Sequence, residues 1–475
     1  MKRSMVFLTV FALFFCMLNV SSFAAGEMPT SREDADYDGY LVFLADSTGT
    51  AVLAETSDEL TYVSGNIYKT YDRDYAALML ACGQAEYVEP DYIATLCDTV
   101  DVGEYEDISY GWPYVAMEAD YAEDAGLDGT GVRIAIIDSG IDMDNPDLSE
   151  ANIAEGYNYV EGTSEMTDDV YHGTKVAQLI CADKNGAGLT GMARGAEIVP
   201  LRCFSSTFSP NASLLMTIID DAVNVYGCDV INMSWSLDSK SAALYGAVER
   251  AYSKGVTLVA AAGNTDQSRP QGKLLYPAAY DHVIGVTSVN RSLSYALTAQ
   301  HTLACNVCAP GDYIRFIKED GTGVTSSGSS FAAPCVTAAA AVVKGLAPGM
   351  KNADVYELFT DRALDLGDEG YDTYYGYGFI RFDALLGTHW EKAAKSTDGS
   401  IIMSSWIISP GGGYILSAAY NEAGRLTGSL SYETDKDYGF VKKLIVPGES
   451  DSEIKLFYLD RDGAPVTEAV SLPIQ

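Results

Sequence analysis

Ile134-Ala135-Ile136-Ile137-Asp138-Ser139-Gly140 reads as a buried strand that ends on a carboxylate. Its apolar run is unbroken rather than alternating, the pattern of a strand covered on both faces. Comparable runs follow at Ile198-Leu201, Val230-Met233, Thr257-Ala262 and Val283-Val286, each too short for a helix. Between two of them, Ser213 to Tyr226 sets Leu214, Leu215, Ile218, Ile219, Ala222 and Val225 at helical spacing, with Asp220 and Asp221 on the wet face. Strands alternating with such helices predict an α/β unit over about 109–387, a parallel sheet with helices on both faces. In open parallel sheets, ligands and chemistry gather at the C-terminal edge, where Asp138 stands. Taken alone, Asp138 also reads as a turn-forming residue.

Two further signatures follow in the same unit. His172-Gly173-Thr174 runs into Lys175-Val176-Ala177-Gln178-Leu179-Ile180, which puts an imidazole at the start of a helix whose Gly173 and Ala177 permit close packing. Ser326-Ser327-Gly328-Ser329-Ser330-Phe331-Ala332-Ala333-Pro334 leads into a small-residue helix from Val336 to Val343. A serine at a helix N-terminus has backbone N–H groups and the positive dipole end beside its Oγ. Each signature alone equally describes a helix cap. Together Asp138, His172 and Ser330 are the parts of an acyl-transfer triad, in which Ser attacks, His takes its proton and Asp fixes the His tautomer. Leu258 to Asn264 adds a buried strand ending in Gly263-Asn264, an amide donor suited to an oxyanion hole shared with the Ser330 N–H.

On these residues the chain resembles the subtilisin-like serine proteases, the subtilases. Asp138-Ser139-Gly140, His172-Gly173-Thr174, Ala262-Gly263-Asn264 and Gly328-Ser329-Ser330 with Ala332 and Pro334 look like the family signatures, at steps of 34, 92 and 66 residues. Val230-Ile231-Asn232-Met233-Ser234, Ala309-Pro310-Gly311 and Tyr375-Gly376-Tyr377-Gly378 extend the resemblance across 109–387. It implies a serine endopeptidase, with Asp138, His172 and Ser330 as triad and Asn264 in the oxyanion hole. Ser234-Trp235-Ser236 and Ala261-Ala262-Gly263 would line the main specificity pocket. Small residues or Leu, ending in Gly, are usual at 234–236, so Trp235 either reshapes the pocket or packs beneath the loop. Lys175 stands where the family usually has a second His, and Ser329 and Phe331 replace the usual Thr and Met. Asp147 and Asn185 resemble ligands of a family calcium site, and oxygen donors suit that ion. No cofactor is required for the chemistry itself.

Working outward, Tyr87-Val88-Glu89-Pro90-Asp91 looks like the end of the same family's inhibitory propeptide. This implies that 27–105 is a small α+β foldase and intramolecular inhibitor removed by autoprocessing. Lys2 and Arg3, the apolar run Met5 to Val20 and the small residues Ser21 to Ala25 form a secretory signal over 1–25. A secreted, extracellular enzyme is expected, free or associated with the cell surface. No later stretch supplies the ~20 apolar residues of a membrane span, so no transmembrane anchor is expected in the mature chain. Beyond 387, a polar stretch from His389 to Ser400 precedes short alternating segments separated by Gly, Pro, Asn and Asp. They predict an all-β module of sandwich type over 401–475.

Composition sets the outer bounds. With 30 Lys+Arg against 66 Asp+Glu, a net charge of −36 excludes general nucleic-acid binding, which needs clustered cations. Histidine chemistry has only His172, His282, His301 and His389 to draw on. Cys305-Asn306-Val307-Cys308 lacks the second pair a four-Cys zinc site needs, and reads as buried strand. The rival readings are a catalytically silent subtilase-like binding protein and an esterase on an α/β-hydrolase fold. The first predicts a missing catalytic member, and all four are present. The second orders its triad Ser, acid, His around Gly-x-Ser-x-Gly, whereas here the order is Asp, His, Ser. Protein or peptide substrates are therefore the expected partners.

Overall fold

The computed structural model describes residues 36–45, 59–97, 99–101, 111–186, 188–266, 269–387, 389–395, 401–408, 413–434, 438–445, 451–466 and 470–473. The expected export signal lies outside them.

Seven parallel strands form the central sheet: β1 (Arg133–Asp138), β2 (Tyr157–Asn158), β3 (Glu197–Arg202), β4 (Val230–Met233), β5 (Thr257–Ala261), β6 (Val283–Val289) and β7 (Val307–Pro310). Their order is β7-β6-β5-β4-β1-β3-β2. The unbroken apolar runs have a direct cause. Side chains alternate across a strand, so Ile134 and Ile136 enter one core while Ala135 and Ile137 enter the other. Val259 and Ala261 divide from Leu258 and Ala260 in the same way. Both faces are buried, so neither parity can be polar.

Four helices frame the sheet. α1 (His172–Cys181) packs on α4 (Ser329–Leu346), which crosses β4 to β7. α2 (Ala212–Asn224) and α3 (Ala242–Ser253) pack together on the opposite face. α2 is capped by Asn211, whose side chain accepts the Leu214 N–H, and α3 by Ser241, which accepts that of Leu244. α4 is the one helix among the described residues long and apolar enough to cross a membrane, yet it is buried inside this domain. Its Ala and Ser content lets backbones approach closely on every side.

Upstream, Thr61–Ser64, Ile67–Thr70, Tyr37–Leu44 and Ala85–Tyr92 form an antiparallel sheet in that order, with the helix Arg73–Ala81 packed on it. Downstream, His389–Lys395, Ile401–Ile408 and Tyr438–Ile445 form one antiparallel sheet, and Leu426–Thr434, Gly413–Asn421, Asp451–Asp460 and Val470–Pro473 another. The stretch read as a polar lead-in is thus partly strand: His389–Lys395 pairs along Ile401–Ile407, so β structure begins before residue 401. Its mixed residues carry no alternation strong enough to reveal this. The eight described cysteines are free thiols. Cys305 and Cys308 are both fully buried, with only Cys308 inside a strand.

Candidate active site

β1 ends at Asp138, at the point where the strand order runs off in both directions, the position at which open parallel sheets form their crevice. Asp138 Oδ1 lies 2.7 Å from His172 Nδ1, and both side chains are fully buried. An ionised carboxylate can only accept, so Nδ1 carries the proton and Nε2 keeps its lone pair. Gly173 makes this approach feasible: a Cβ there would sit 2.2 Å from the Gly140 carbonyl oxygen.

His172 is launched by Tyr171 in a left-handed conformation (φ 64°) and held by a residue that sequence reading missed. The carboxylate of Asp168 accepts from the Tyr171 N–H at 2.7 Å, the Thr174 N–H at 2.9 Å and the Ser139 hydroxyl at 2.8 Å. Ser139 Oγ in turn accepts the Gly173 N–H. Burial pushes the Asp168 carboxyl above the usual range, against the pull of these donors. The signal available in sequence was an acidic residue four positions before the histidine, too common a pattern to single out.

Ser330 occupies the first turn of α4. Its Oγ has no hydrogen-bond partner among the described residues, while its carbonyl accepts the Ser234 hydroxyl at 2.8 Å. Asn264, just past β5, is oriented from behind. The Ser329 N–H donates to its Oδ1 at 3.0 Å, and Ser329 Oγ accepts the Gly263 N–H at 3.1 Å. This leaves Asn264 Nδ2 to donate to the carbonyl oxygen of Cys97, 2.5 Å away. A Cβ placed on Gly328 would lie 3.0 Å from that oxygen, 3.0 Å from Ser330 Oγ and 3.1 Å from Asn264 Nδ2. The three atoms therefore converge on one point.

Cys97 belongs to a strand-like stretch leading out of the upstream sheet. Thr95–Leu96 pairs antiparallel with Trp235–Ser236, and the Cys97 N–H donates to the Ser234 carbonyl at 3.0 Å. Thr99–Asp101 then pairs antiparallel with Gly323–Ser327. Ala261 and Ala262 are fully buried beside this path, and Gly263 (φ 100°) tolerates no Cβ, which would meet Leu275 at 2.2 Å. Among the residues whose burial is described, Trp235 is the largest fully buried side chain, and it packs in the core on the α2–α3 face. Lys175 is buried with its Nζ 2.9 Å from Ser326 Oγ and 5.9 Å above the Phe331 ring. Phe331 also packs tilted against His172, ring centroids 5.5 Å apart.

The upstream sheet docks through two acidic side chains. Glu89 accepts from Ser241 Oγ at 2.9 Å and from the Ala242 and Ala243 N–H groups at 2.8 and 3.1 Å, at the start of α3. Asp91 accepts from the Ser213 N–H and hydroxyl at the start of α2, and pairs with Lys69 at 2.8 Å. Each anion meets the positive end of a helix.

The other candidate residues lie elsewhere. Asp147 is buried, Oδ2 accepting the Leu189 N–H at 2.9 Å, while Oδ1 has no hydrogen-bond partner of ordinary geometry among the described residues. Burial raises its pKa to about 6. Asn185 lies beside it, its Nδ2 3.5 Å from the Pro146 carbonyl, while Lys184 turns away to pair with Glu123. A buried carboxylate oxygen so placed beside an amide suits an oxygen-preferring cation, although no group of three or more His, Cys, Asp or Glu gathers among the described residues. His282 stacks on Tyr252 and His301 packs between Tyr295 and Tyr374.

Known proteins are similar to this chain in sequence. The chain is 34% identical to subtilisin DY of Bacillus licheniformis over 58% of its own length and 98% of the relative's. It is 32% identical to subtilisin E of Bacillus subtilis (strain 168) over 77% of this chain and 93% of that one. The minor extracellular protease Epr of the same organism is 35% identical over 63% of this chain, which spans 46% of Epr. Fold and relatives together define a serine-type endopeptidase. The chain belongs to the subtilase family, whose model matches residues 129–378.

Proposed function

We propose that this chain is the zymogen of a secreted endopeptidase in which Ser330 is the nucleophile, His172 the general base and Asp138 its orienting partner. The observation that carries the reading is the Asn264 amide donating to a peptide carbonyl, that of Cys97, beside Ser330 Oγ. Ser330 Oγ attacks the carbonyl carbon and its proton passes to His172 Nε2. The oxyanion is held by the Asn264 amide and the Ser330 N–H. His172 then protonates the leaving nitrogen as the C–N bond breaks, giving an acyl-enzyme. Water, deprotonated by His172, hydrolyses the ester and returns Ser330 to its starting state.

Residues before the cut act as an intramolecular inhibitor, a role supported by the Glu89 and Asp91 contacts and by the strand lying through the crevice. Export is supported by the leader-like start of the sequence. Calcium, held by Asp147 and Asn185, would have a structural role and take no part in the chemistry. The test is Ser330→Ala: the variant folds, remains full length and hydrolyses no peptide, whereas normal self-processing of that variant would sink the assignment.

A further inference from the structure

We propose that this protease selects small side chains both at the residue it cuts after and at the third residue before it, and that the bond following Cys97 is the first it cuts. The inference rests on the catalytic reading of Ser330 and deepens it to a substrate class.

The register of the threaded strand is tied at successive points. The Ala94 N–H donates to the Pro210 carbonyl at 2.8 Å, Leu96 and Thr95 pair with Trp235 and Ser236, and the Cys97 N–H and carbonyl are both engaged. A slip of one residue would turn every side chain to the other face. In this register Thr95 is exposed and Leu96 half-buried, whereas Cys97 is 1% exposed and Ala94 not exposed at all. The two side chains that the enzyme encloses are the two smallest of the four.

The walls explain the choice. Cys97 lies in the same buried cluster as Ala261, and Ser236, on the strand that pairs with Thr95, is fully buried. Ala94 shares its cluster with Trp235, whose indole fills volume that a smaller side chain would leave to the substrate. Trp235 thus acts both as packing beneath the strand and as the limit of a pocket. Close-packed walls of this kind yield little to added methylenes.

The cut itself balances as an ordinary hydrolysis. The Cys97 carbonyl carbon forms an ester with Ser330, the nitrogen of Asp98 leaves with a proton from His172, and water restores the hydroxyl and a Cys97 carboxylate. The mature enzyme would begin at Asp98, earlier than the boundary near 105 expected from resemblance alone.

The experiment is N-terminal sequencing and intact mass of the full chain after expression, alongside Ser330→Ala, Cys97→Ala, Cys97→Phe and Ala94→Phe. A peptide library is then cleaved by the processed wild type and by Trp235→Leu. Expected are an N-terminus at Asp98, unchanged processing in Cys97→Ala, and processing slowed about tenfold or more in the two Phe variants. The wild type should favour Ala, Ser or Cys before the cut and Ala three residues earlier. Trp235→Leu should gain about tenfold on peptides with a larger residue at that earlier position. Wild-type preference for large aromatic residues at either position, or wild-type-rate cutting of Cys97→Phe at the same bond, overturns the proposal. Ser330-dependent cutting at another bond overturns the assigned site while leaving the catalytic reading intact. Cutting in Ser330→Ala overturns that reading itself.

Discussion

Replacing Glu89 by Ala should turn a tightly docked prosegment into a leaky one. In the structure the Glu89 carboxylate is 1% exposed and accepts three hydrogen bonds, two from the Ala242 and Ala243 N–H groups and one from Ser241 Oγ. Ser241 keeps its own bond from the Leu244 N–H in the variant, so α3 remains capped. The loss is then two helix N–H groups left facing apolar surface, at about 1–3 kcal/mol each. The charge–dipole attraction goes as well. Part is offset, because burial disfavours the charged carboxylate and raises its pKa. A net cost of about 2–4 kcal/mol follows, or roughly 30- to 700-fold weaker binding. The assay dilutes the self-processed complex serially and follows hydrolysis of a fluorogenic peptide. The concentration at which half the activity is freed should rise by that factor. Glu89→Gln, which keeps an acceptor oxygen, should fall between the two. A half-activation point within threefold of wild type would refute the helix-capping account of inhibition.

Two other outcomes follow from the geometry. Asn264→Ala should lower kcat by about 10²–10³ with little change in KM, the loss typical of this oxyanion-hole donor in the subtilisins; an unchanged kcat in steady-state assays would remove Asn264 from the oxyanion hole. Asp147, with its pKa raised by burial to about 6, favours folding when protonated. Its contribution is fullest below the ordinary carboxylate range and is lost as pH rises through about 6. In chelator, the wild-type Tm should therefore fall relative to Asp147→Asn across that window, and calcium should restore it at neutral pH by mass action. A Tm indifferent to calcium would exclude the proposed cation site.

The candidate residues Asp138, His172, Asn264 and Ser330 were legible in the sequence because each sits at a junction that local rules mark. Asp138 and Asn264 end apolar runs, and His172 and Ser330 begin helices. The sheet was legible for a related reason: a strand buried on both faces must be apolar at every position. The β strand at His389–Lys395 escaped notice because its Glu, Lys and Ala residues carry neither period. Asp168 escaped because capping is made by distance in space, and its five acceptor contacts come from residues 139, 170, 171 and 174 together.

By itself the sequence determined the parallel sheet, the order Asp, His, Asn, Ser along its C-terminal edge, and hence the class of chemistry. Those features follow from periodicity and from what stands at the ends of short elements, which are properties of neighbouring residues. Only the tertiary structure decided which peptide lies in the crevice, that Cys97 rather than a residue near 105 presents its carbonyl to Asn264, and that Trp235 packs in the core on the α2–α3 face. Asn264 and Cys97 are 167 residues apart. No local pattern links positions so distant, and only the packing of the upstream sheet on α2 and α3 brings them together.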